Sequence, residues 1–274
     1  MFIRRLFTGT RTTLPGQTLN PRQWDRPPYF QFPKLAAHYD RLDHAVFTRH
    51  GGTSTQPWDS LNTGHTTGDQ ARHIKYNLDI IQKRLGAKHL VSMNQVHGQD
   101  ILVVRRGCIP LPESIVDGDA MITDVPDIAL LIKQADCQGI IIFDPIKEVV
   151  ACIHCGWRGN VCNILDSVIK RMKSEFGSSP GDLLAGIGPS LGPCCAEFVT
   201  HEEIFPAKFK RFMTQKLHFD LWETSRAQLL KTGMKNKNIE IASICTKCNT
   251  GVFYSYRGEG ETGRFATVAM LKKR

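Results

Sequence analysis

The sequence predicts an α+β fold in a single domain, and three observations carry that reading. Short apolar runs rich in β-branched residues recur along most of the chain, segments of helical period lie between them, and no repeat, low-complexity tract or Pro/Ser-rich linker follows residue 30. The 274 residues, 41% hydrophobic and 22% charged, are enough to bury a large core.

Strands are expected at 45–48, 101–104, 128–132, 139–143, 149–153, 239–242, 252–256 and 265–271. A helix follows Gly68 and Asp69, because Ile74, Leu78, Ile81 and Leu85 share one face. The clearest helix covers 160–176, where Val161, Ile164, Leu165, Val168, Ile169, Met172 and Phe176 fall three or four residues apart, with Asn160 as its cap and Gly177 as its end. A third helix spans 224–230, before Gly233. Residues 1–30 form an irregular basic leader rich in proline, and 31–274 form the catalytic domain.

The apolar runs are strand-sized and interrupted, far short of the roughly 20 residues that cross a bilayer, so no membrane span is expected. Nine cysteines, an odd number without a signal peptide before them, imply a reducing compartment in which thiols are open to metals. The first seven residues, Met-Phe-Ile-Arg-Arg-Leu-Phe, lead into a Thr-rich, acid-poor stretch with some character of an organelle transit peptide. They are too few, and serine is absent, so a cytoplasmic location is expected instead. The net charge is +9, but four of those charges lie in residues 1–30; the remaining excess suits anionic small molecules as well as nucleic acid. Lysine and arginine are scattered rather than striped, which argues against a nucleic-acid partner.

Chemistry concentrates in three segments. Glu148-Val-Val-Ala-Cys-Ile-His-Cys-Gly-Trp-Arg-Gly159 reads as a strand that ends in His154, a glycine turn and a helix start, an anion-binding arrangement to which Arg158 adds a planar donor fork. Ser92-Met-Asn-Gln-Val-His-Gly98 places His97 beside a glycine, and Gln134-Ala-Asp-Cys-Gln138 places Cys137 between two strands. Two imidazoles and a thiolate suit Zn²⁺ and leave a fourth position open for water or substrate. The wide separation of these residues carries no local signature, so from the residues alone a buried cysteine with two hydrogen-bonded histidines is the more ordinary reading, and the metal triad stays open beside it.

A set of blocks extends the argument: Phe47-Thr-Arg-His-Gly-Gly52, Ser60-Leu-Asn62 with Gly68-Asp69, Asn94-Gln-Val-His-Gly98, Asp119-Ala120, Ala135-Asp-Cys137, His154 with Gly156-Trp-Arg-Gly159, Gly188-Pro189, Cys245-Thr246, and Ser255-Tyr-Arg257 with Thr262-Gly-Arg264. In content and order they resemble the YfiH, or laccase-domain, family over about residues 45–271. The resemblance implies a four-layer α/β/β/α fold with mixed sheets, related to a bacterial toxin's cysteine-hydrolase domain. It implies zinc at His97, Cys137 and His154, with phosphorylase activity on adenosine, inosine and methylthioadenosine and adenosine deaminase activity. An older family label, multicopper polyphenol oxidase, fits less well, because the ten histidines here lack the His-x-His pairs that bring several copper ions together.

On the phosphorylase reading, purine nucleosides and phosphate are the partners. Arg49, Arg158 and the helix start at Asn160 are the candidates for phosphate, with Arg49 counted among the catalytic residues beside His97, Cys137 and His154. Asn62 and Gln95 are the candidates for orienting the nucleoside. The alternative enzyme is a cysteine hydrolase or amidase, with Cys137 as nucleophile and a histidine as base.

Several positions depart from the family pattern. Gln134 stands where threonine is usual, Gln138 and Gly139 follow Cys137 where x-Pro is usual, and Cys155 replaces an alanine, putting a second thiol next to His154. Cys245-Thr-Lys-Cys248 has the spacing of a metal knuckle, but the other two cysteines, Cys194 and Cys195, are adjacent rather than spaced, and buried thiols are the expectation. Glu259, Glu261 and Arg264 either line the pocket or form a polar turn.

Overall fold

Alternation along the central strands decides the architecture. In 140–143 the side chains of Ile140 and Ile142 join one apolar cluster and those of Ile141 and Phe143 another, as the two-residue period of a strand buried on both faces requires. The computed structural model describes residues 27–109 and 116–273. The leader expected over 1–30 therefore lies outside the described residues as far as residue 26. Its last two residues, Tyr29 and Phe30, already belong to the domain as a strand.

In chain order the elements are β1 (Tyr29–Phe30), α1 (Pro33–Ala36), β2 (Leu42–Phe47), α2 (Ala71–Leu85), β3 (His89–Ser92), β4 (Ile101–Val104), β5 (Ala120–Thr123), β6 (Ile128–Gln134), β7 (Gln138–Asp144) and β8 (Val149–Cys155). They continue with α3 (Trp157–Cys162), α4 (Ile164–Phe176), β9 (Leu184–Ile187), α5 (His201–Ile204), β10 (Met213–Gln215), β11 (His218–Phe219), α6 (Leu221–Lys231), β12 (Ile239–Ile241), α7 (Tyr256–Glu259) and β13 (Phe265–Leu271).

Two mixed sheets result. The five-stranded sheet runs β1-β2-β13-β6-β3, antiparallel except where β3 pairs with β6; the six-stranded sheet runs β12-β9-β7-β8-β5-β4, with parallel pairs at its two edges. Their inner faces meet through Val46, Leu130, Ile132, Phe265 and Ala269 on one side and Met121, Ile141, Phe143, Val150 and Cys152 on the other. The outer face of the first sheet is covered by α2 through Ile81 and Leu85. The outer face of the second is covered by α4 through Ile164, Leu165, Val168, Ile169 and Met172, and by α6 through Leu229. Helix, sheet, sheet, helix is the four-layer order expected. Each fully buried aliphatic side chain contributes about 1.5–3 kcal/mol of transfer free energy.

Three differences from the sequence reading have local causes. The helix expected from residue 160 begins three residues earlier as α3, breaks at Asn163, whose φ of 60° is left-handed, and resumes as α4. Asn160 is thus inside α3 rather than capping it; its Nδ2 donates to Ser225 Oγ at 2.8 Å. The apolar run 252–256 is not a strand: Phe253 and Tyr254 are buried, but the amides of Val252 and Phe253 both turn back to the Asn249 carbonyl. Strand β9 escapes apolar counting because it contains Gly186, where a Cβ would lie 2.4 Å from the Phe32 ring.

Candidate metal and active site

Three separate stretches of backbone bring His97, Cys137 and His154 together. The last turn of β8 carries His154 on the inner face of its sheet, the connection from β6 to β7 carries Cys137, and the loop after β3 carries His97. One ligand atom from each lies within 4.8 Å of the others. The two imidazoles meet edge to face, with centroids 4.9 Å apart. His154 is buried, Cys137 half-buried and His97 exposed, so the group opens to solvent on one side. A Cβ on Gly156 would lie 2.7 Å from Cys137 Sγ, and glycine is what lets the start of α3 approach the thiol.

Asp119, at the start of β5, organises both histidines. Its Oδ1 accepts from His154 Nδ1 at 2.7 Å and from the His97 backbone N–H at 3.0 Å, while Oδ2 accepts from the Gly98 N–H at 2.6 Å. These bonds offset the cost of burying the carboxylate and hold its pKa below the ordinary value. They also fix the His154 tautomer so that Nε2 is left for a ligand, the carboxylate–histidine arrangement of metal sites. The bond to the His97 amide helps hold that residue at φ 62°. In the sequence Asp119 stands in a family block with no visible role, because residues 22 and 35 positions away do not mark it as their partner.

Cys137 is supported by its neighbour. Asp136, at φ 89°, accepts from Thr246 Oγ1 and Ser255 Oγ at Oδ1, each at 2.6 Å, and from the Arg257 N–H at Oδ2, also at 2.6 Å. Burial pushes the Cys137 thiol up, but the positive His154 and hydrogen bonds from both histidines outweigh it and bring it below its ordinary value. His154 moves the other way: burial lowers it, and the Cys137 and Asp119 charges raise it further than burial lowers it. The pair is biased towards thiolate and imidazolium, a state suited to a nucleophile; a metal binding there would take the thiolate directly and displace the proton from His154.

The expected substrate residues separate into two sets. Arg158 is exposed, with its guanidinium over the Trp157 ring at the start of α3. Arg49, Asn62 and Gln95 are engaged in holding the fold. Arg49 donates to the Thr250 carbonyl and to Glu259 Oε1, each at 2.7 Å, and to the Asp59 carbonyl at 3.1 Å, and lies over the Tyr254 ring. Asn62 is fully buried, donating to Thr67 and Asp69 and accepting from the amides of Gly64 and Arg264. Gln95 pairs both ends of its amide with the backbone of Lys133, at 2.6 and 2.9 Å, and so anchors the His97 loop to β6. Arg264 and Lys133 emerge as half-buried cations without an ion pair among the described residues. Burial lowers both, Lys133 to about 8, and Arg264 feels the charges of Cys137 and Asp136.

The departures from the family pattern are accommodated in pairs. A Cβ on Gly139 would lie 2.5 Å from Gln134 Nε2 and from Thr267 Oγ1, so the longer side chain at 134 occupies the space that glycine at 139 leaves, and its amide donates to Thr267. Gln138 faces the helical layer, bonded to the Leu221 carbonyl and to Ser225. Strand alternation sends Cys155 to that same outer face, away from His154, and burial raises its thiol.

Comparison with known proteins agrees with this architecture. Residues 43–272 match the family model described as multi-copper polyphenol oxidoreductase laccase. A Bacteroides thetaiotaomicron protein named purine nucleoside phosphorylase is 32% identical over 254 residues, covering 86% of this chain and 93% of the relative. The Geobacillus stearothermophilus purine nucleoside phosphorylase YlmD is 29% identical, covering 79% and 85%. The crystal structure of the Bacillus licheniformis hypothetical protein YfiH superposes with a TM-score of 0.82 at 28% identity, covering 90% of this chain and 98% of that one.

Proposed function

The chain belongs to the multi-copper polyphenol oxidoreductase laccase family, and on that premise we propose that it is a zinc-dependent purine nucleoside phosphorylase acting on adenosine, inosine and methylthioadenosine, with adenosine deaminase activity. The observation that carries the reading is the His97, Cys137 and His154 group backed by Asp119. Its two imidazoles, one thiolate and open side are a donor set that fits Zn²⁺ in a catalytic rather than a closed structural site. Relatives named purine nucleoside phosphorylase support the substrate class. An oxidase is not favoured, because among the described residues histidines gather with other ligand types in one group only.

Bound there, zinc supplies a Lewis acid that polarises the purine or, for deamination, activates water against C6. Phosphate attacks C1′ of the ribose, the C1′–N9 bond breaks through an oxocarbenium-like state, and the purine leaves with the bonding electrons and takes up a proton. Arg158 and Arg264 hold the phosphate by fork geometry, and Lys133, kept from full hydration, adds charge on the same anion. Asp119 keeps His154 oriented, and Gln95 keeps the His97 loop in place. Arg49 orders the turn around Glu259 rather than meeting phosphate, because its donors are committed.

The biased Cys137–His154 pair favours one second reading, a cysteine hydrolase with Cys137 as nucleophile. The test quantifies bound zinc and phosphate-dependent adenine release from adenosine in the wild type and in His97→Ala. Loss of one zinc equivalent together with phosphorolysis supports the proposal. A chain inactive on nucleosides, whose Cys137 is alkylated by iodoacetamide at the same rate before and after chelation, would overturn it in favour of the hydrolase.

A further inference from the structure

Away from the site just described, the remaining metal-type group among the described residues consists of thiols alone. Cys194, Cys195, Cys245 and Cys248 place their sulfurs within 4.8 Å of one another. The Sγ of Cys248 lies 3.6 Å from that of Cys194 and 3.5 Å from that of Cys195. Tetrahedral zinc with Zn–S bonds of about 2.3 Å spaces its sulfurs about 3.8 Å apart. A disulfide needs about 2.05 Å, so the four sulfurs are spaced as a cage and not as bonded pairs.

The backbone explains how an adjacent pair joins a spaced pair. The amides of Cys195 and Ala196 both donate to the Gly192 carbonyl at 2.9 Å, a tight turn that aims Cys194 and Cys195 at the same point. Cys245 to Cys248 forms the facing knuckle, with the Asn249 side-chain amide donating to the Cys245 carbonyl at 2.8 Å to close its turn. A parallel bridge between Ser190 and Cys245 fixes the two segments side by side. Gly192 is required there, since a Cβ would lie 3.0 Å from Cys245 Cβ and 2.7 Å from the Trp222 ring. Cys245 is buried over the aromatic cluster of Phe198, Phe205 and Phe219, while Cys194 and Cys248 reach the surface.

We propose that Cys194, Cys195, Cys245 and Cys248 bind a second, structural Zn²⁺ ion. Four thiolates leave no open position, which makes the site closed and non-catalytic. The ion clamps the turn after β9 to the segment after β12. Both hold Asp136: the Leu191 amide donates to its carbonyl, and Thr246 Oγ1 to its carboxylate. The clamp therefore braces the residue next to Cys137 without contacting the catalytic group.

The experiment measures zinc per chain in protein purified under reducing conditions, with alkylation by iodoacetamide mapped by mass spectrometry before and after chelation. Two equivalents are expected in the wild type, falling to one in Cys194→Ser and in Cys248→Ser, each of which retains the zinc that His97→Ala loses. Within the wild type, Cys194 and Cys248 should resist alkylation until zinc is removed, although they are as exposed in kind as Cys108, which serves as the internal control. Unchanged zinc content in the two serine variants would overturn the proposal. So would alkylation of Cys194 and Cys248 in untreated protein as fast as Cys108, or their recovery in a disulfide.

Discussion

Asp119 shares its two oxygens among His154, the His97 amide and the Gly98 amide, so one carboxylate orients two residues of the candidate metal group, one at the end of β8 and one in the loop after β3. Replacement by asparagine preserves shape but turns an NH₂ group towards a donor, leaving one of these three partners unsatisfied. Asp119→Asn is expected to weaken zinc at the His97 site about 10–100-fold, the usual effect of losing a carboxylate behind a ligating histidine. Competition against a chelator of known affinity measures it, and unchanged affinity would show that His154 is held by packing alone. The members of the candidate metal group were legible in the sequence, since His97, Cys137 and His154 stand in recognisable blocks and the structure gathers them. The carboxylate behind them was not, because a hydrogen bond between strand ends leaves no spacing rule. Asn62 and Gln95 mislead for the opposite reason: polar loop residues look available until burial and backbone pairing are known.

Among the elements, the junction of β6 and β7 carries the largest departure from the family pattern, and its physical logic is a steric exchange. Gln134 fills the volume that a side chain at 139 would take. Gly139→Ala alone is expected to destabilise the protein by about 1–3 kcal/mol, the cost of overpacking a filled core position. Pairing it with Gln134→Thr should recover part of that loss, a coupling that a double-mutant cycle in urea detects. Additive effects would mean that Thr267, not Gln134, limits the space. The α3–α4 break belongs to the same scale. Apolar periodicity continues through residues 161–176 and cannot register that Asn163 turns left-handed, because Val161 is apolar for its own neighbours, the aromatic cluster of Phe198 and Phe205, while Ile164 to Met172 are apolar for the sheet.

For the molecule as a whole, the two-sheet core buries His44 completely. Its Nε2 accepts the Phe32 amide at 2.9 Å, and burial lowers its pKa to about 3. The unfolded chain binds a proton near pH 6.5 that the folded chain refuses, so stability is full above that pH and falls as pH drops towards 3. The loss reaches up to about 5 kcal/mol at the acid end of that window. His44→Gln, which keeps an acceptor for Phe32, should flatten the dependence of the urea midpoint on pH between 6.5 and 3; equal slopes in both proteins would assign the acid sensitivity to carboxylates such as Asp119 and Asp69, which are also lowered. By itself the sequence determined the fold class, the positions of β4 and β13, the apolar face of α2 and the residue types of the His97, Cys137 and His154 group, because periodicity and donor chemistry are written residue by residue. The tertiary structure alone decided which groups converge: Asp119 with both histidines, Gln134 and Gly139 with Thr267, and an adjacent cysteine pair with a spaced pair about fifty residues later. Such convergence depends on turns and sheet register that fix positions in space, and no local pattern in the chain encodes those distances.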